Sequence, residues 1–234
     1  MSEQRVAGRE PVFNMPMPVV FLIGTLIAIH AGIEFIISPR ALVGIETWFA
    51  FNPARIYYAD QVPGGMLPLV WTSVTYAFLH ANWPHVLLNS AWLAIFGTPV
   101  ARRYGTEKFF AVFVISSIVA AWGFALVQPG GFTALVGASG GISGLTGLAV
   151  RFIFQPLVWV KHPETGDPVP IGRHLASIRE VFANTRARTL TIVWPAPNAA
   201  TPPLPIFTGL PAGVPWPGHI RGFLPGFFCA SLAL

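Results

Sequence analysis

The stretch FFAVFVISSIVAAWGFALV, Phe109 to Val127, has no charged side chain from end to end. At about 1.5 Å per residue it nearly crosses the roughly 30 Å hydrocarbon core of a bilayer, so it reads as a transmembrane helix. Working outward, Val19 to Ile37, Pro84 to Val100 and Ser139 to Phe154 are further apolar runs of the same kind. The whole chain of 234 residues is 53% hydrophobic and 10% charged, whereas soluble domains carry roughly 25% charged residues. An all-α polytopic membrane protein follows. A single cysteine, Cys229, excludes an intrachain disulfide and any zinc site built on several thiolates.

The net charge of +5 is spread over alternate loops rather than gathered on one face, which argues for no nucleic acid partner. Arg5 and Arg9 precede the first run, Arg102, Arg103 and Lys108 follow the second, and Arg151, Lys161, Arg173, Arg179, Arg186 and Arg188 follow the fourth. The positive-inside rule therefore places these loops and the N-terminal segment, residues 1–18, in the cytoplasm, and the loops at 38–69 and 128–135 outside. Met1 to Pro18 lacks a short apolar core with a small-residue cleavage site, so no cleavable signal is expected.

The outer loop 38–69 is dense in aromatics, which suits a membrane interface. Residues 155–188 form a polar insert in which Ala176 to Ala187 reads as a surface helix. Thr189 to Leu210 is uncharged and long enough to span, yet holds Pro195, Pro197, Pro202, Pro203 and Pro205, so a kinked fifth span is expected. His219 to Leu234 is a last apolar run of about 24 Å.

Polar groups inside such helices cost free energy and call for a partner or a purpose. In FLHANWPHVLLNSAW, Asn82 reads as an N-cap and Pro84 as a first-turn residue, with His80 in the incoming loop and His85 and Asn89 on one helix face. These polar groups are either interhelical hydrogen-bond glue or a functional set. In VGASGGISGLTG, residues 136–147, Ser139 opens a helix among glycines. Gly140 and Gly144 give the small-residue spacing of close packing; equally, a hydroxyl at a helix N-terminus lies beside backbone N–H groups suited to a developing oxyanion. His219, in WPGHIRGFLPG, precedes Gly222 and Gly226 at the same four-residue spacing, and is either an interfacial histidine or a base. His30 and Glu34 in the first span read as a structural pair.

Together these residues resemble the rhomboid family of intramembrane serine proteases. The likeness rests on His80, His85 and Asn89 in an HxxxxHxxxN pattern, on Gly137-Ala138-Ser139-Gly140 as GxSG, and on His219, Gly222 and Gly226 as HxxGxxxG, in the family's order. The resemblance implies a bundle of six transmembrane helices over residues 19–234 and a catalytic dyad of Ser139 and His219. It further implies an oxyanion hole lined by His85, Asn89 and the Ser139 N–H, support from His80, Gly137 and Gly140, and packing through Gly144, Gly222 and Gly226. It implies no metal and no cofactor, transmembrane protein substrates within the lipid bilayer, and a place in the cell inner membrane. The outer loop offers Arg55 where the family commonly has a Trp-Arg pair, and Pro225 interrupts the last helix.

Two other functions fit parts of this pattern: an inactive rhomboid-like protein that binds membrane clients, and metal transport through His80, His85 and His219. The charge pattern makes a direct prediction. A reporter fused within residues 155–188 reports the cytoplasm; activity of that fusion only outside would overturn the topology.

Overall fold

The computed structural model describes residues 15–193 and 216–228, with side chains from residue 220 in the second segment. Helix α1, Met17–Ile36, starts on two prolines and is about 30 Å long, enough to cross a bilayer. Its buried residues, Val19, Leu22, Leu26 and His30, form one stripe, while Phe21, Phe35 and Ile36 face outward. Such outward apolar side chains on a helix of this length suit a lipid environment. His30 packs edge-on against Trp83, with ring centroids 4.8 Å apart, rather than pairing with the exposed Glu34.

The 38–69 loop is built, not loose. Ser38 caps α2, Pro39–Phe49, followed by the short α3, Ala54–Tyr57, and α4, Leu69–Thr75. The guanidinium of Arg55, only 2% exposed, donates to the carbonyls of Pro63, Gly65 and Thr47 at 2.6, 2.9 and 2.6 Å. One cation thus ties three turns of the loop together. The loop is fastened to the 128–135 turn by paired hydrogen bonds between Phe51 and Leu135 and by stacking of Tyr58 on Phe132 at 5.4 Å.

The second span begins with α5, Trp83–Trp92, where Asn82 accepts from the His85 N–H at 2.9 Å and Pro84 lies in the first turn. A π-helical turn, Leu93–Gly97, leads into α6, Thr98–Val127. A gap between the second and third spans, from Val100 to Phe109, was expected; the helix instead continues, and Gly105 alone, at φ 77° and ψ 179°, breaks it. Only glycine takes that backbone conformation without strain, and beyond it the Phe109 ring returns to Gly97, 3.1 Å from where a Cβ would be.

Helix α7, Ser139–Val150, is shorter than the expected Ser139 to Phe154, because the chain tightens into turns from Arg151. Every residue from Gly140 to Val150 is buried. At the stop, the Arg151 guanidinium donates to the carbonyl of Ala176 at 2.7 Å and to that of Phe227. The insert also differs from a polar stretch with one helix. Strands β1, Leu157–Lys161, and β2, Pro168–Arg173, pair antiparallel, followed by α8, Ile178–Ala183, and α9, Thr185–Val193. Asn184 separates the two helices and caps the second through its side-chain oxygen, which accepts from Arg186 and Ala187.

Helix α8 opens with a reciprocal cap in which the Ser177 N–H donates to Glu180 at 2.6 Å and the Glu180 N–H donates to the Ser177 hydroxyl at 3.2 Å. Those Ser177 bonds, with His174 beside them, hold the Glu180 carboxyl down at about 2. Its contribution to the helix is complete above about 4.5 and fades as the pH falls toward about 2.

The last described helix, α10, Trp216–Phe228, continues through Pro225. The expected fifth span lies outside the described residues beyond Val193, as do residues 1–14 and the end of the last run.

Helices α7 and α10 touch backbone to backbone. A Cβ at Gly222 would stand 2.5 Å from the Gly140 carbonyl oxygen; one at Gly226 would overlap the Gly144 carbonyl, and one at Gly147 the Phe223 carbonyl. On the other side of α7, a Cβ at Gly141 would meet Phe113 at 2.5 Å and one at Gly144 would overlap Ser116, both on α6. Gly226→Val therefore destabilises the protein by about 3 kcal/mol in a denaturant titration. Gly24→Val on α1, where nothing lies within 4 Å, changes stability little; equal losses would overturn this packing account.

Candidate functional site

The polar residues singled out in the sequence converge at the end of the bundle that carries the 38–69 loop. Ser139 is the first residue of α7, partly buried, and the Ile142 N–H to Ala138 carbonyl bond at 3.0 Å begins the helix. The leading N–H groups of α7 therefore surround the serine, at the positive end of the helix dipole.

The turn before the serine is held from two directions. The Gly137 N–H donates to the Tyr76 carbonyl at 3.0 Å, and the Ala138 N–H donates to Nε2 of the buried His80 at 3.4 Å. Because Nε2 accepts, a neutral His80 carries its proton on Nδ1. Gly137 has φ 111°, and a Cβ there would lie 2.7 Å from both Cε1 and Nε2 of His85. His85 thus covers the turn closely, with the His80 ring edge-on to it at 5.0 Å between centroids. Asn89, one turn further along α5, is 5% exposed and donates to the His85 carbonyl at 2.9 Å. A second amide hydrogen is left for another acceptor.

Gly140 packs where no side chain fits, its Cβ position 2.6 Å from both the Ala120 methyl and the Tyr76 hydroxyl. Tyr76 in turn donates to the Ser117 carbonyl at 2.9 Å. On α10, His219 lies in the first turn. The contacts pair Gly222 with Gly140 and Gly226 with Gly144, so α7 and α10 run parallel and begin at the same end. His80, His85, Asn89, Ser139 and the start of the His219 helix are thereby brought to one end, about the N-terminus of α7.

The profile of the Rhomboid domain family matches residues 68–234, the larger part of the chain. The chain belongs to the rhomboid family. Rhomboids are polytopic helical membrane proteins, and α1 and the long α5–α6 run are apolar enough to cross a bilayer. Over 114 residues, 49% of the chain, it is 29% identical to the rhomboid protease GlpG of Yersinia pestis and to that of Yersinia pseudotuberculosis serotype O:3 (strain YPIII). Over 131 residues, 53% of the chain, it is 30% identical to the rhomboid-family protein YdcA of Bacillus subtilis (strain 168). The chain spans 38% of the length of those GlpG proteins and 63% of YdcA.

Sequence reasoning missed two residues near this rhomboid site. Tyr76 supports Gly137 through its carbonyl and crowds Gly140 through its hydroxyl; an aromatic in an apolar run carries no signal of that role. Arg221, two residues past His219, donates to the Gly123 carbonyl of α6. Its charge within an apolar helix was the available clue.

Gly137 is also sensitive to an added methyl group. Gly137→Ala combines a left-handed backbone with a collision against His85 and lowers stability by about 1–3 kcal/mol in thermal unfolding. At Gly166, φ 76° with open space around it, Gly166→Ala carries only the backbone strain and has the smaller effect. The reverse order would show that His85 does not hold this turn.

Proposed function

We propose that this rhomboid is an intramembrane serine endopeptidase that cuts transmembrane protein substrates near the outer face of the membrane. The observation that carries this reading is the parallel contact of α7 with α10, which starts the Ser139 and His219 helices at one end of the bundle. Ser139 is the nucleophile and His219 the general base. Transfer of the hydroxyl proton to the imidazole lets Oγ attack the substrate carbonyl. The resulting oxyanion is met by the Ser139 N–H at the head of α7, by Asn89 and by His85, groups positioned before the reaction starts. The imidazolium then protonates the leaving amine, and water, activated by the same histidine, releases the acyl group.

His80 and Gly137 keep the 137–139 turn in shape, and Gly144, Gly222 and Gly226 hold the two helices at the required spacing. The contact between Phe51 and Leu135 supports placing the outer loop and the reactive end on one side. The hydrogen bond from Arg103 to the Arg173 carbonyl, 2.6 Å, supports placing both basic loops on the other. In this reading the chain lies in the cell inner membrane with its N-terminal segment and the 155–188 insert in the cytoplasm.

The test is cleavage of a model transmembrane substrate by the purified full chain. Ser139→Ala and His219→Ala abolish cleavage, while Asn89→Ala lowers kcat by about a hundredfold to a thousandfold and leaves a slow residue, since other oxyanion donors remain. A fluorophosphonate labels the wild type and not Ser139→Ala. Undiminished cleavage by Ser139→Ala would eliminate the nucleophile. Absence of cleavage and of labelling in the wild type would favour a client-binding protein.

A further inference from the structure

Among the described residues, the hairpin of β1 and β2 has little covering it. All five residues of β1 are exposed, including Leu157, Val158, Trp159 at 55% and Val160, and Ile171 on β2 is 64% exposed. Successive strand residues point to opposite faces, so apolar side chains stand on both sides of the ribbon. An isolated two-stranded ribbon is marginal in water, and this one has no layer packed on either face among the described residues.

Its place in the chain decides what can cover it. The hairpin begins seven residues after the end of α7, and its base is locked to the bundle. Arg103 donates to the Arg173 carbonyl and Arg173 to the Gln155 carbonyl, each at 2.6 Å, and the His174 N–H bonds to the Pro156 carbonyl at 3.1 Å. Arg103 is itself anchored over the Phe152 ring, 4.9 Å from its centroid, at the end of the second span. The ribbon is therefore held at the level where the bundle leaves the hydrocarbon. Strands of this length extend about 17 Å, within reach of the headgroup layer. The charges agree: from residue 155 to 188, Lys161, Arg173, Arg179, Arg186 and Arg188 outnumber Glu164, Asp167 and Glu180.

We propose that this hairpin is a bilayer-docking element, immersed in the interfacial layer of the adjoining leaflet so that apolar side chains of both its faces, Trp159, Val160 and Ile171, are taken out of water. There its basic residues meet anionic phospholipid headgroups. Tryptophan favours that depth, where its ring is apolar and its N–H reaches water. Lys161 and Arg173 bury their stems while keeping their charges among phosphates. This goes beyond the proteolytic reading and does not depend on it.

The experiment uses the full chain, one copy per nanodisc, so that both leaflets are reachable and a second copy is excluded. In a Cys229→Ser background, Ile171→Cys carries an environment-sensitive fluorophore, and Thr165→Cys at the hairpin tip serves as the aqueous reference. In nanodiscs of phosphatidylcholine with phosphatidylglycerol, the fluorophore at residue 171 is quenched by nitroxide-labelled lipid and is about threefold less accessible to iodide than at 165. Lys161→Glu, or phosphatidylcholine alone, weakens the lipid quenching, and Trp159→Asp with Val160→Asp moves the fluorophore into water. Equal iodide access at both positions would overturn the proposal. So would shielding from iodide without quenching by the lipid nitroxide, which would mean that protein covers the ribbon.

Discussion

Contact of backbone with backbone, glycine facing glycine, is what the rest of this structure depends on. A lipid-immersed bundle gains little from burying apolar surface, because the alternative environment is equally apolar; close approach and dispersion must hold it together. Helix α7 meets that demand by lacking side chains where its neighbours come nearest. Gly140 admits Ala120 and Tyr76, Gly141 admits Phe113, Gly144 admits Ser116 and Gly147 admits the Phe223 turn, while Gly222 and Gly226 on α10 admit the carbonyls of Gly140 and Gly144. The same glycines fix the height of Ser139 relative to α10, so packing and site geometry are one property of the sequence.

The two ends of the bundle solve one problem in the same way. Arg55 in the 38–69 loop and Arg151 at the far end are both nearly inaccessible, and neither has a carboxylate partner among the described residues. Each is surrounded by main-chain carbonyls: Thr47, Pro63 and Gly65 for one, Ala176 and Phe227 for the other. The planar guanidinium suits this task because its several donors diverge toward separate turns. Irregular backbone near a membrane must have its carbonyls satisfied, and one arginine satisfies two or three at once.

The apolar runs, the Asn82 cap and the glycine spacing were legible in the sequence because each follows from local chemistry. Other features were not. The span boundary at Gly105 was misplaced because Arg102, Arg103 and Lys108 suggest a loop, although the residues around them sustain a helix and one positive-φ glycine is enough to turn the chain. The hairpin was hidden by its charges. LVWVK and PVPIGR on either side of a PETGD turn carry a β signal, but one too short to outweigh the polar character of the segment. The hold of Tyr76 and His85 on the Gly137 turn depends on contacts across more than fifty residues of chain, which no local pattern encodes.

The single-glycine reversal at Gly105 bears on how the chain enters a membrane in the first place. With no intervening loop, the spans on either side are prepared to insert as one helical hairpin, pairing before later spans emerge from the ribosome. The basic residues beside the reversal resist translocation, while the turn at 128–135, at the other end of the third span, carries no charge. The energetic barrier to insertion is thereby confined to apolar helix, and the serine-bearing α7 is delivered onto a partner already in place.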